Sequence, residues 1–440
     1  MTSSPKNKPI PDLTAVQIAL CDLNGVARGK RIPGSQVEKA LQGAMRMPLS
    51  VPTVDIWGRD IEECKMIFAS GDGDGICQPV RDNLLSSPWL GSDAATLPVW
   101  MFKENGEPNE VDPRQALARI TQRYTEKGLT PVVATELEFY LTPLNGPLNN
   151  KGREFTSENI LSLQLLDEVA PLLDSIYAAC AEQGIPADAA ISECGPGQFE
   201  INLLHRNDAL LAADDAVFFK RIVKGFARSH GYAANFMAKP DGTSAGSGMH
   251  LHFSLLDTQG HNVFDNGSEE GSDLLKSAVA GVLAAMAEST LIFAPHFNSY
   301  RRLRPNTHAP TSICWGYENR TAAVRIPGGS SAARRIEHRV AGADANPYLV
   351  MTAVLGAALA GIEKSMTPPA PVDGNGYETD AAQLPGEWAT SIAAFESGSM
   401  IPELFNQQLR DVFIQLKRQE LSGFLEQVSP FELSTYADLV

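Results

Sequence analysis

Glu136 and Glu138 stand two residues apart in the apolar run PVVATELEFYL. On a strand, residues i and i+2 point to one face, so the two carboxylates sit side by side and call for a cation. Glu193 and Glu200 lie in two further apolar, strand-like runs, and the tight turn Gly195-Pro196-Gly197 between them brings both runs together. The glycine-rich segment AGSGMHLHFS adds His250 and His252, again two apart, with a hydroxyl at Ser254. Glutamates with an imidazole and no cysteine partner form a hard, oxygen-rich donor set. Such a set suits Mg2+ or Mn2+ rather than a thiolate zinc site.

A second group is cationic: Arg301, Arg302 and Arg304 in NSYRRLRP, Arg320 and Arg325 in NRTAAVRIP, and Arg334, Arg335 and Arg339 around Glu337 in RRIEHR. Arginine runs are ordinarily solvated faces, and a lone strand histidine is ordinarily a satisfied core residue. The alternation within RTAAVRIP and RRIEHR instead predicts strands with one face carrying Arg and Glu. Divalent cations beside guanidinium groups suit phosphoryl transfer, where catalysis is positioning plus neutralisation of charge on the transferred group. The chain has neither a Walker A sequence nor a G-x-G-x-x-G fingerprint, so a nucleotide must be held in another way.

The elements that position these residues follow from periodicity and breakers. Residues 14–23 read as a strand, GVARGK as a turn and SQVEKALQGA as a short helix. Strand-like pieces near 51–57, 65–69 and 97–103, separated by Gly/Asp and Pro-rich loops, complete a small α+β unit over residues 1–110. Asp112-Pro113 then opens a helix that closes at Gly128. Over 111–440 a larger α+β pattern is expected. It runs through the strand PVVATELEFYL, a helix over 161–184, the two runs around Gly-Pro-Gly, and a helix over 208–231. The strand pair YAANFMAKP and GMHLHFSLLD, a helix over 271–294 and a loop-rich stretch over 295–340 come next. A helix over 347–364, a looped insert over 365–400 and a helix over 402–427 close the pattern.

Of 440 residues, 43% are hydrophobic and 20% charged, and 36 Lys+Arg against 52 Asp+Glu leave a net charge of −16. That is a globular composition, and an acidic chain without a basic stretch is a poor partner for nucleic acid or an anionic membrane surface. The most apolar stretches, Ser277 to Ala287 and Leu349 to Ile362, fall short of the ~20 residues a bilayer needs and read as buried helices. No apolar segment follows the first lysines, so no signal peptide is expected. Scattered cysteines without a C-x-x-C pair fit reduced thiols and a cytoplasmic location.

Taken in order, ELEFY (136–140), ECGPGQFEI (193–201), AGSGMHLHFS (245–254), NSYRRL (298–303), NRTAAVRIP (319–327), RRIEHRVAGADANPYL (334–349) and SPFELSTY (429–436) resemble the glutamine synthetase family and its gamma-glutamyl-amine ligases. The resemblance implies an α+β fold: a β-grasp domain over 1–110, then a glutamine synthetase-type catalytic domain over 111–440. It also implies a homo-oligomer, a dodecamer of two stacked hexameric rings with sites between neighbouring subunits. Glu138, Glu193 and Glu200 would hold one divalent ion and Glu136, His250 and Glu337 a second, with two or three Mg2+ or Mn2+ per site. His252, Ser254, Arg325 and Arg335 would lie by ATP, with Arg320 also facing its phosphates. Arg302, beside Gly246, would grip the α-carboxylate of L-glutamate and Arg339 would meet the γ-carboxylate. The implied chemistry is attack of that γ-carboxylate on the terminal phosphoryl of ATP, then attack of an amine on γ-glutamyl phosphate.

The chain also departs from the family pattern. Members that use ammonia carry a glutamate in a flap of the form PGYEAP, and here the flap reads Pro305-Asn306-Thr307-His308-Ala309-Pro310, with His308 in place of the carboxylate. Their aspartate-bearing DGSS segment corresponds to LSVPTVDIWG, where Asp55 is the only acid. Ammonium has no apolar surface and must be captured by charge. The expected acceptor is therefore an organic primary amine, a polyamine or a bulky or aromatic monoamine, as in amine catabolism. Asp55 is the candidate base, and Val51, Val54, Trp57 and His308 the candidate walls of an amine pocket. The alternatives are a true glutamine synthetase and an inactive structural member of the family. All six metal-ligand positions are filled by Glu or His, which argues against the second.

Overall fold

The computed structural model describes residues 13–68, 71–144 and 154–440. The lysines that open the chain, and Ser70 at the head of the Gly/Asp loop, lie outside the described residues. The first sheet contains β1 (Ala15–Cys21), β2 (Ala27–Pro33), β3 (Met45–Pro48), β4 (Asp74–Pro79), β5 (Leu85–Ser86) and β6 (Ala94–Phe102), ordered β2-β1-β6-β4-β3 with β5 beside β6. Val16, Ile18 and Leu20 of β1 alternate onto one face and join Leu97, Val99 and Met101 in a small core, which Val37 and Ala40 of α1 (Val37–Leu41) cover.

Three expectations for this unit are corrected. GVARGK is not only a turn: Gly25, at φ 77°, closes a hairpin and Ala27 to Lys30 enter β2. Glycine is required again at Gly29, where a Cβ would collide with the Ile18 carbonyl. Residues 51–57 form no strand but one 3-10 turn, Val51–Thr53, because Pro52 has no N–H for a ladder. Residues 65–69 likewise give a short helix, α2 (Lys65–Phe68), rather than a strand.

α3 (Pro113–Glu126) starts at Asp112, whose side chain accepts from Arg114 N, and leads into an eight-stranded sheet. Its strands are β7 (Thr130–Pro143), β8 (Ala187–Ser192), β9 (Gln198–Arg206), β10 (Tyr232–Asn235), β11 (Met249–Leu256), β12 (Trp315–Tyr317), β13 (Val324–Ile326) and β14 (Ile336–His338). The order is β12-β13-β14-β11-β7-β9-β8. β10 and β11, expected as a pair, each pair with β7 instead: β10 along Tyr140 to Pro143 and β11 along Thr130 to Leu137. β7 is long enough to serve both end to end.

One face of this sheet is apolar. Val133, Leu137, Phe199, Ile201, Phe253 and Ile336 are buried on it, and α4 (Leu163–Gln183) and α5 (Ala209–Ser229) pack against the sheet. The expected helix over 271–294 divides into α6 (Asp273–Met286) and α7 (Thr290–Phe293), with the Thr290 hydroxyl donating to the Met286 carbonyl at the break. α6 packs on α8 (Pro347–Glu363).

The insert over 365–400 is not all loop. It holds α9 (Trp388–Ser397), whose Trp388, Ile392 and Phe395 are buried at helical spacing. α10 (Ile401–Leu404), α11 (Gln407–Leu425) and α12 (Pro430–Tyr436) replace the single final helix, Asn406 capping α11 through Leu409 N. α11 reaches back to the first unit: buried Lys417 and Glu420 lie 2.9 Å apart, and Glu420 accepts from Asn24 Nδ2 and Ile56 N, each at 2.7 Å. Among the described residues no helix is long and apolar enough to cross a membrane.

Candidate active site

Register assembles the site. On β11, His250 opposes Glu136 of β7 and His252 opposes Glu337 of β14. Glu138 of β7 opposes Glu200 of β9, and Arg325 of β13 opposes Glu337. Directly opposed residues share a face, so five strands present these groups on the side away from the apolar core. Ile191 of β8 opposes Glu200, and Glu193, two residues on, follows the strand end on the same side.

Ligand atoms of Glu136, His250 and Glu337 lie within 4.8 Å of one another, and so do those of Glu138, Glu200 and His250. His250 Nδ1 is 3.1 Å from Glu136 Oε2 and 3.9 Å from Glu337 Oε1, while His252 Nε2 is 3.0 Å from Glu136 Oε1. The first trio is the expected one. In the second, His250 stands where Glu193 was expected. Glu193 belongs to neither trio, although its charge acts on Glu200.

The electrostatics divide the cluster in two. Burial opposes charge on Glu136, but hydrogen bonds and charge from His250 and His252 hold it far below the carboxylate range. Burial opposes charge on Glu337 too, and Arg339, His252, His250 and Arg325 together hold it low. In the other half the help is weaker: the Cys194 N–H and Arg320 act on Glu193, and Arg339 on Glu200, without offsetting burial and the neighbouring acids. Burial, then Glu136, Glu138 and Glu193, pushes Glu200 up to about 9. Burial, then Glu138, pushes Glu193 up to about 7. Crowded carboxylates of this kind are relieved by a hard divalent cation, which inverts the local balance. The donor set fits such an ion.

An open cleft of about 880 Å3 adjoins the cluster, lined by Glu136, His252, Ser254, Asn202, Ser330 and Arg335. Arg335 Nε lies 3.3 Å from His252 Nδ1. Of the residues expected beside a nucleotide, Arg320 and Arg325 are not on its wall; Arg325 is paired with Glu337 at 2.9 Å and Glu318 at 3.2 Å. Arg339 is buried and paired with Glu337. Arg320 is exposed, and its charge draws Glu193 down. Arg302 is buried, and a Cβ on Gly246 would lie 2.7 Å from its Cγ.

Neither Asp55 nor His308 is on the wall of that cleft. The buried Asp55 carboxylate accepts from Trp57 N at 3.0 Å, Arg59 N at 2.8 Å and Gln419 Nε2 at 2.9 Å. It caps a turn, and its oxygens are occupied by three donors. His308 is exposed at φ 61°. Asp55 and Trp57 line a cleft with Gln419 and Gly423 of α11, and neither His308, Val51 nor Val54 is on its wall. Sequence reasoning missed Gln198, whose Nε2 donates to Glu138 Oε2 at 3.2 Å and to the Gly246 carbonyl at 2.9 Å. Its spacing of two from Glu200 is the signal that could have found it.

Residues 110–436 match the family "Glutamine synthetase, catalytic domain". The chain is 38% identical to gamma-glutamylputrescine synthetase PuuA of Escherichia coli (strain K12), over 96% of this chain and 91% of that one. It is 30% identical to the glutamate–isopropylamine ligase of a Pseudomonas species, over 98% and 96%. A solved structure titled "GmaS/ADP complex" superposes with a TM-score of 0.84 at 27% identity, covering 97% of each chain.

Proposed function

The chain belongs to the glutamine synthetase family, and from that premise we propose that it joins the γ-carboxylate of L-glutamate to an organic primary amine, using ATP and passing through γ-glutamyl phosphate. The observation that carries this reading is the face holding Glu136, Glu138, Glu200, His250 and Glu337 beside an open cleft. The absence of a flap carboxylate at His308 supports an organic amine over ammonia. So do the names of the two relatives, one a putrescine and one an isopropylamine enzyme. A polyamine and a bulky or aromatic monoamine are the two classes to test.

In this reading Glu138, Glu193 and Glu200 hold one Mg2+ or Mn2+ and Glu136, His250 and Glu337 a second. When bound, these ions neutralise charge on the transferring phosphoryl group. His252, Ser254 and Arg335 orient ATP in the cleft, with Arg320 and Arg325 toward its phosphates. Arg302 orients the α-carboxylate of glutamate beside Gly246, and Arg339 the γ-carboxylate. Asp55, held in its turn by three donors, is the candidate base for the amine in a site shared between neighbouring subunits. Residues 1–110 are taken as a β-grasp domain and 111–440 as the catalytic domain, supported by the separate small core of the first sheet. A cytoplasmic homo-oligomer of two hexameric rings completes the proposal. Six free cysteines support the compartment, and the uncovered Leu425, Val428, Phe431 and Leu439 support the assembly.

The test is phosphate release from ATP with glutamate, Mg2+ or Mn2+, and a panel of ammonia, putrescine, spermidine and aliphatic and aromatic monoamines. Release that needs glutamate, metal and an organic amine is expected. Release with ammonia alone overturns the amine class, and release independent of glutamate removes the ligase reading.

A further inference from the structure

Arg302 is held at both ends by one short stretch of chain. At its head, the guanidinium donates to the carbonyls of Val340 at 2.7 Å and Arg339 at 3.3 Å. At its base, Arg302 closes the 3-10 turn Phe297–Arg301. The Ser299 hydroxyl of that turn donates to Asp344 Oδ2 at 2.6 Å and accepts from His296 N at 3.1 Å. Asp344 therefore fixes the turn four residues beyond the carbonyl that fixes the guanidinium.

Asp344 is itself held from outside. Lys220 of α5 donates to both carbonyls that flank it, Ala343 at 2.6 Å and Ala345 at 3.2 Å. Gly342 leaves space for the carboxylate, since a Cβ there would collide with Asp344 Oδ1. That oxygen is buried without a hydrogen-bond partner among the described residues, so Ser299 is the group the carboxylate engages. A buried carboxylate is costly to keep; here its side-chain hydrogen bond goes to the turn, while its charge also acts on Arg302. Small misplacements of a substrate-orienting group cost large factors in rate.

We infer that Asp344, acting through Ser299, is a positioning residue that sets Arg302 for the α-carboxylate of glutamate, an inference that rests on the ligase reading above. Ser299→Ala removes the donor to Asp344 together with the acceptor for His296 N. It is expected to raise the glutamate KM about tenfold, equivalent to about 1.4 kcal/mol, while KM for ATP and for the amine stay within about twofold. Asp344→Asn keeps an acceptor oxygen and is expected to raise the glutamate KM about threefold. The double variant is expected to be no worse than Ser299→Ala, because both changes act on one bond.

Equal rises in all three KM values, additive effects in the double variant, or a lowered thermal midpoint with unchanged glutamate KM would each overturn the inference. If Ser299→Ala does not fold, Asp344→Asn decides the matter by whether its KM rise is confined to glutamate. Arg302→Lys, run in parallel, separates the two levels. Lost glutamate affinity there with an unchanged Ser299→Ala refutes the positioning role and leaves the ligase reading standing, whereas no glutamate dependence in the unaltered protein refutes the ligase reading.

Discussion

Adding a divalent ion to the metal-free protein should expel protons in an amount set by Glu193 and Glu200. Burial and neighbouring carboxylates push Glu200 up to about 9 and Glu193 up to about 7, and a carboxylate must be ionised to ligate. At pH 7 Glu200 is then almost wholly protonated and Glu193 half so, and binding should release about one and a half protons per chain. At pH 9 Glu193 is already ionised and Glu200 half so, and the release should fall to about half a proton. Stability carries the same sign. Both folded-state values lie above the ordinary 4.5, so the two groups favour the fold fully below about pH 4.5 and lose that contribution as pH rises through about 7 and about 9. The metal-free protein should therefore melt at lower temperature toward pH 9, and the gap to the metal-loaded form should widen. Calorimetric titration of Mn2+ in two buffers of different ionisation enthalpy, at pH 7 and pH 9, counts the protons. Glu200→Gln should remove about one proton of the release at pH 7. A release near zero at pH 7, or equal at the two pH values, would show that the cation does not take the place of these protons.

Glu138→Ala is expected to abolish glutamate-dependent phosphate release while the circular dichroism spectrum and unfolding midpoint stay near those of the parent; retained turnover refutes its ligand role. His308→Glu returns a carboxylate to the flap and should raise kcat/KM for ammonia relative to the best organic amine by about tenfold, equivalent to about 1.4 kcal/mol; an unchanged ratio removes His308 from amine selection. Truncation after Glu426 takes away Val428, Phe431, Leu433, Tyr436, Leu439 and Val440, which are 56% to 98% exposed in one chain. It should lower the mass seen by light scattering, and an unchanged mass would mean that these groups do not join copies.

How much of the fold could be read depended on whether a segment has an apolar face to read. β7, β9 and β11 alternate cleanly because one side is core, and their positions follow from the pattern. β2 (ARGKRIP) has almost no buried side chain, as suits a charged edge strand, so nothing in its composition distinguishes it from a turn. β3 and β4 are short and carry Gly or Pro. α2 is four residues of an apolar run that fits strand or helix equally well. α9 has a helical apolar spacing, but its Pro and Gly flanks hid it.

The site was legible in its residue types and less so in its partnerships. Spacing of two places Glu136 with Glu138 and His250 with His252 on one face, yet which carboxylate meets which imidazole depends on register between strands far apart in sequence. The β7–β9 register shifts between Val133 and Thr135, and only beyond that shift does Glu138 oppose Glu200. A slip of one residue would turn Glu200 toward the core and Phe199 and Ile201 toward the cleft. The same register therefore buries Leu137, Phe139, Phe199 and Ile201, each worth about 1.5–3 kcal/mol, and crowds the acids on the opposite side. Repulsion among the acids opposes this register, and apolar burial on the reverse face holds it. Weakening that reverse face, as Phe199→Ala would, should loosen metal binding without touching a ligand.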